Sequence, residues 1–97
     1  MSQSNRLTEL EQEYHHMSKK GDFIKCLSIA NQLKVSSTKE NDEIILLRSI
    51  RFIANSHYYL DNIDSSFYFL NYGMSYAFEH KINNEDYLKI YINKAQI

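Results

Sequence analysis

Proline and tryptophan are absent from this 97-residue chain, glycine occurs twice and cysteine once. Without proline nothing interrupts a long helix, and two glycines are too few for the tight turns of an all-β fold. They are also too few for a glycine-rich phosphate loop. A single thiol, Cys26, excludes an internal disulfide and suits a reducing compartment. No charge of one sign prevails: the formal net charge is −1. Residues 1–48 carry seven basic and seven acidic side chains, residues 49–97 four and five. With no basic stripe, the composition speaks against a nucleic-acid partner. No apolar run approaches the ~18 residues of a membrane span. Residues 1–5 lack the charged and apolar regions of a secretion signal, so a cytoplasmic protein is expected. Asn, Ile, Lys and Tyr supply 36 residues, a bias that points to an AT-rich, bacterial or phage-like source.

What is present is helical periodicity. Leu7, Leu10, Tyr14 and Met17 recur at steps of three and four, one face of a helix. Lys19-Lys20-Gly21 ends it with cations and a residue suited to the left-handed C′ position. Asp22 can cap a second helix whose inner face is Phe23, Cys26, Leu27, Ala30 and Leu33. Val35 to Glu40 reads as a polar connector. A third helix starts near Asn41-Asp42, with Leu46, Leu47, Ile50, Ile53, Ala54 and His57 inward. Asn62 or Asp64 caps a fourth, with Ile63, Phe67, Leu70, Met74 and Ala77 on one face. A fifth begins after Asn83, its expected N-cap, with Ile82 and Tyr87 as a hydrophobic staple. It runs through Leu88, Ile90, Tyr91 and Ala95. The expected fold is all-α: five helices in antiparallel hairpins within a single domain. A shift of 40 residues superposes the pattern on itself. Leu10 falls on Ile50 and Ile90, Gly21-Asp22-Phe23 on Asp61-Asn62-Ile63, Cys26 on Ser66, and Leu33 on Gly73. Small residues such as Cys26, Ala54, Ser66 and Gly73 suit helix axes 8–10 Å apart.

The unit Ala54…His57…Asp61-Asn62-Ile63…Ser66 resembles a tetratricopeptide repeat, with Tyr14, Met17, Gly21-Asp22-Phe23 and Cys26 as its counterpart in the first unit. Tyr14 departs from the family's pattern, being large where a small residue is usual. The terminal Pro is missing, and the period is about 40 instead of 34. The resemblance implies a right-handed superhelix of about two and a half repeats: residues 5–36, 41–82, and a C-terminal helix over 84–96. It also implies a concave groove lined by the first helix of each unit. Glu11, His15, Ser18 and Lys19 would come from the first, then Arg48, Arg51, Asn55, Tyr58 and Tyr59, then Leu88, Tyr91 and Ala95. Arg51 and Asn55 stand where the peptide-terminus-binding subset holds a carboxylate, but Leu88 and Ile92 replace its further polar positions. Read from the residues alone, Arg48 and Arg51 are solvated helix charges.

No motif points to a reaction. Cys26 lies on an inner face as a compact hydrophobe. His15 and His16 point about 100° apart and cannot share a metal. His57 reads as a hydrogen-bonded core residue. Glu9, Glu11 and Glu13 read as hydrated charges in the first helix. No cofactor or metal is expected. The run over 67–78 carries more aromatic rings than one hairpin face can bury, Tyr72 among them, and tyrosine favours interfaces. The function expected is therefore a non-enzymatic protein-binding module, a small chaperone or adaptor that binds a peptide or helix and is prone to homo- or hetero-oligomerise. It resembles in size and build the chaperones of bacterial secretion subunits. The alternatives are a peptide-sensing regulator acting on a protein target and, last, a small helical enzyme. The candidate partner-binding residues are Arg48, Arg51, Asn55, Tyr58, Tyr59, Tyr72, Leu88 and Tyr91.

Overall fold

The computed structural model describes residues 5–96. Five helices follow one another: α1 (Asn5–Lys20), α2 (Phe23–Lys39), α3 (Glu43–Tyr59), α4 (Ile63–Glu79) and α5 (Glu85–Gln96). Helix accounts for 86% of the described residues and no strand occurs among them, far above the ~30–35% of an ordinary domain. The all-α expectation holds.

The turns repeat every 20 residues, half the shift legible in the sequence. Gly21, Asn41, Asp61 and Lys81 all take a left-handed backbone, with φ of 76°, 56°, 66° and 56°. Behind each, an amide reaches back five residues to close the helix end. Asp22 N bonds Met17 O (3.0 Å), Asp42 N bonds Ser37 O (3.0 Å), Asn62 N bonds His57 O (2.8 Å) and Ile82 N bonds Ala77 O (2.9 Å). These bonds satisfy carbonyls that the helix leaves orphaned. In two cases a side chain caps the next helix: the Asp22 carboxylate accepts from Lys25 N and that of Asp42 from Ile45 N.

Two starts differ from expectation. Asn62 is the α4 N-cap but makes no side-chain cap bond; its amide turns back to His57 Nδ1 at 3.4 Å. The α5 cap is Asn84 and not Asn83, since Asn84 Oδ1 accepts from Tyr87 N at 3.1 Å. Ile82 fills the place of Asp22, Asp42 and Asn62, cannot cap, and packs into the core, which delays α5 by two residues. With Asn84 as cap, Ile82 and Tyr87 no longer hold staple positions, though both pack on the same cluster.

The connector expected over 35–40 is instead the last turns of α2. Its hydroxyls bond the helix itself: Ser37 Oγ and Thr38 Oγ1 both donate to Lys34 O, at 3.1 and 2.7 Å. A polar run continues a helix when its side chains find backbone partners locally.

Side-chain contacts link α1 to α3 and α3 to α5, while α2 and α4 cover the other side. The whole measures 38 × 32 × 18 Å, two helix layers thick. Leu7, Leu10, Cys26, Leu33, Ile45 and Phe52 belong to one core cluster; Leu47, Ala54, Leu70, Ala77 and Ile90 belong to a second. Helix α3 lies between them and is buried on two sides. Ile45 and Phe52, outside the expected inner face, are therefore core residues, while Leu46 and His57 are only half-buried. Helix α4 buries its small side, Ser66, Leu70, Gly73 and Ala77; Ile63 and Phe67 are exposed and Met74 half-buried, contrary to expectation. Large side chains are displaced because α4 approaches its neighbours closely. A Cβ on Gly73 would lie 3.0 Å from Ile90 Cδ1 and 3.2 Å from Ile50 Cγ2. Tyr14 is accommodated by lying flat on Phe52, ring centroids 4.0 Å apart and planes 7° from parallel.

Candidate partner-binding site

The three helices α1, α3 and α5 are tied across their shared layer by one ion network. Arg48 Nη1 donates to Glu11 Oε2 at 2.8 Å. Arg48 Nε donates to both oxygens of Asp86, at 3.3 and 3.1 Å. Arg51 adds Nε and Nη2 to Asp86 Oδ1, at 3.2 and 3.0 Å. Asp86 is only 3% exposed, and the Arg51 side chain 13%. Burial works against the charge on Arg48, but Glu11 and Asp86 outweigh it and hold the guanidinium above its usual pKa.

This arrangement corrects two expectations at once. Arg48 and Arg51 are not solvated helix charges, and Glu11 is not merely hydrated. Nor does Arg51 wait for a peptide carboxylate, because Asp86 of the same chain occupies that role. Glu11 and Asp86 were missed as partners because they lie 37 and 38 residues from Arg48 in sequence. A signal for Asp86 did exist: it stands four residues from both Ile82 and Ile90, on the face where an acid must be paired to be buried.

Beyond the network, the same layer becomes neutral. Asn93 Nδ2 donates to Asn55 Oδ1 at 3.1 Å. A pocket of about 270 Å³ opens here, lined by Asn55, Tyr58, Tyr59, Ser66, Leu70, Asn93 and Gln96. Tyr58 and Tyr59 are exposed at its rim, edge to face at 5.3 Å. Tyr59 also stacks on Phe23 at 4.6 Å, which ties the rim to α2. Of the eight candidate residues, Asn55, Tyr58 and Tyr59 line the pocket and Arg48 and Arg51 sit in the network beside it. Leu88 and Tyr91 are exposed on α5, outside the pocket. Tyr72 lies apart in the α2/α4 layer, stacked with Tyr68 at 6.5 Å and 6.0 Å from Lys34 Nζ. Ser66, Leu70, Asn93 and Gln96 line the pocket but are not among the candidate site residues.

Cys26 and His57 both lie in packed surroundings. Cys26 is fully buried with Sγ 3.7 Å from Tyr14 O, and burial first, then Asp22, pushes its thiol pKa up. His57 stacks on Phe69 at 5.7 Å, and burial lowers its pKa. Among the described residues no group of three or more His, Cys, Asp or Glu is placed to hold a metal ion. No helix among them is long and apolar enough to cross a membrane. No family model, curated protein or solved structure matches the chain.

Proposed function

We propose that this chain is a non-enzymatic protein-binding module, a small adaptor or chaperone of tetratricopeptide-like build that works in the cytoplasm. One observation carries the reading. Thirteen large apolar side chains are exposed among the described residues, and ten of them fall between Tyr58 and Ile92. Five of those ten are tyrosines, the residue type enriched at interfaces. On α5, Leu88, Tyr91, Ile92 and Ala95 form an exposed stripe at steps of three, one and three. At the corresponding places 40 residues earlier, α3 carries Arg48, Arg51, Phe52 and Asn55, none of them exposed. Apolar surface on a rigid scaffold is a common mark of a binding role.

Light scattering on the chain purified from cells that naturally produce it tests the proposal. The expected result is a complex with a second polypeptide, lost on the double substitution Tyr58→Ala and Tyr91→Ser and kept on Ile24→Ser. A partner-free monomer at high concentration would count against it.

A further inference from the structure

The pocket beside the ion network contains hydrogen-bonding groups that the fold leaves unused. Asn55 and Asn93 share one hydrogen bond, through Asn55 Oδ1 and Asn93 Nδ2. That leaves an amide nitrogen on Asn55 and a carbonyl oxygen on Asn93, neither with another partner among the described residues. Reversing which amide donates leaves the same set, one donor beside one acceptor. A donor beside an acceptor is the complement of a third amide.

Ser66 supplies an independent sign. It is 1% exposed, lines the pocket, and its hydroxyl has no partner among the described residues. No fully buried side-chain oxygen or nitrogen lacks a partner there, so the residual exposure of Ser66 belongs to its oxygen, at the pocket floor. A hydroxyl left unbonded in so enclosed a place is costly unless something enters to meet it.

Size and charge narrow the occupant. The volume of about 270 Å³ equals roughly nine waters at ~30 Å³ each, room for one amino-acid residue and not for a helix. No ionisable side chain other than the two phenols lines the pocket, and the neighbouring cations already hold Asp86. A charged group would shed its hydration there without a counter-ion. Tyr58 and Tyr59 offer flat walls to a planar group.

We propose that this pocket receives one uncharged residue of a partner polypeptide through an amide group, and that it discriminates against a free carboxylate. The inference rests on the polypeptide-binding reading above and specifies its ligand chemistry.

Side-chain amide resonances of Asn55 and Asn93 in the full chain provide the test. Three probes are titrated: N-acetylglutamine N-methylamide, N-acetylalanine N-methylamide and acetate. Saturable shifts with the two amides are expected, with acetate weaker by at least about tenfold. Equal binding of the two amides assigns the contact to the main chain, and tighter binding of the glutamine probe assigns it to the side chain. Asn93→Asp, which places a charge in the pocket on a half-buried helix position, should weaken the amides by about tenfold. Acetate binding as tightly as the amides overturns the inference. Saturable amide shifts at Leu88 and Tyr91 with none at Asn55 and Asn93 overturn the pocket but leave the polypeptide-binding reading standing. No saturable shift anywhere overturns the pocket, and the polypeptide-binding reading falls with it only if the purified chain also lacks a partner.

Discussion

Replacing Asp86 by Asn removes a charge without changing shape, at the point where α5 is fastened to α3. The Asp86 carboxylate takes four contacts from two guanidinium groups at 3.0–3.3 Å while only 3% exposed. Breaking a fully buried ion pair by removing one partner costs about 3–5 kcal/mol. The loss here is smaller, because Arg48 keeps Glu11 and its side chain is 30% exposed, which screens it. Arg51 keeps no anion, only the ring of Phe52 at 5.0 Å. We expect Asp86→Asn to cost about 2–3 kcal/mol of the ~5–15 kcal/mol available to a small domain. That corresponds to a fall in Tm on the order of 10–20 °C. Urea unfolding followed by far-UV circular dichroism measures it. Adding Arg51→Met to Asp86→Asn should recover part of the loss, since no unpaired charge then remains. A change under about 0.5 kcal/mol for Asp86→Asn would show that the network does not anchor α5.

Other expectations follow from single contacts. Gly73→Ala should shift stability by no more than about 1 kcal/mol: helix propensity gains about that much, and the 3.0 Å approach is to the mobile end of Ile90. Gly73→Leu should cost about 1–3 kcal/mol by overpacking, and a neutral outcome for it in urea unfolding would contradict the close crossing of α4. Lys81 holds φ at 56°, so Lys81→Gly should raise stability by roughly 0.5–1 kcal/mol, while Asn41→Gly should be near neutral. Cys26→Ala should cost about 1–2 kcal/mol, and the native thiol should resist labelling until the chain unfolds. Burial, against a hydrogen bond with Ser56, pushes Tyr14 up to about 12 from 10.0. The folded state thus retains a proton that the unfolded chain releases above pH ~10, and stability from this group falls between pH ~10 and ~12, by about 2–3 kcal/mol. Tyr14→Phe should flatten that part of the alkaline unfolding profile.

The helices were legible because their ends carry local chemistry. Gly21, Asp22 and Asp42 act through neighbours within five residues, and a sequence displays such neighbours directly. The 40-residue shift and the small positions Cys26, Ala54, Ser66 and Gly73 were legible for the same reason: close packing restricts volume at fixed spacing. Three features were not. The polar run Ser36-Ser37-Thr38 resembled a loop because its bonds to Lys34 do not appear in composition. Phe52 and Ile45 escaped because a helix buried on two sides shows no single apolar stripe. In α4 the large residues Phe67 and Met74 suggested the inner face, whereas the close approach of α3 and α5 selects the small one. At the site, Arg48, Arg51, Asn55, Tyr58 and Tyr59 were identifiable by their place on α3. Their partners Glu11, Asp86 and Asn93 reach them only through the register between helices, which periodicity alone does not define.

Under the proposed function, residues 58–92 present a surface for another polypeptide. Site-specific photo-cross-linking tests this, with a benzophenone amino acid placed at Tyr58, at Tyr91 and, as a control outside residues 58–92, at Ile24 (73% exposed). Discrete protein adducts are expected from the first two positions and none from Ile24. Adducts of equal yield from all three positions, or none from Tyr58 and Tyr91, would contradict it.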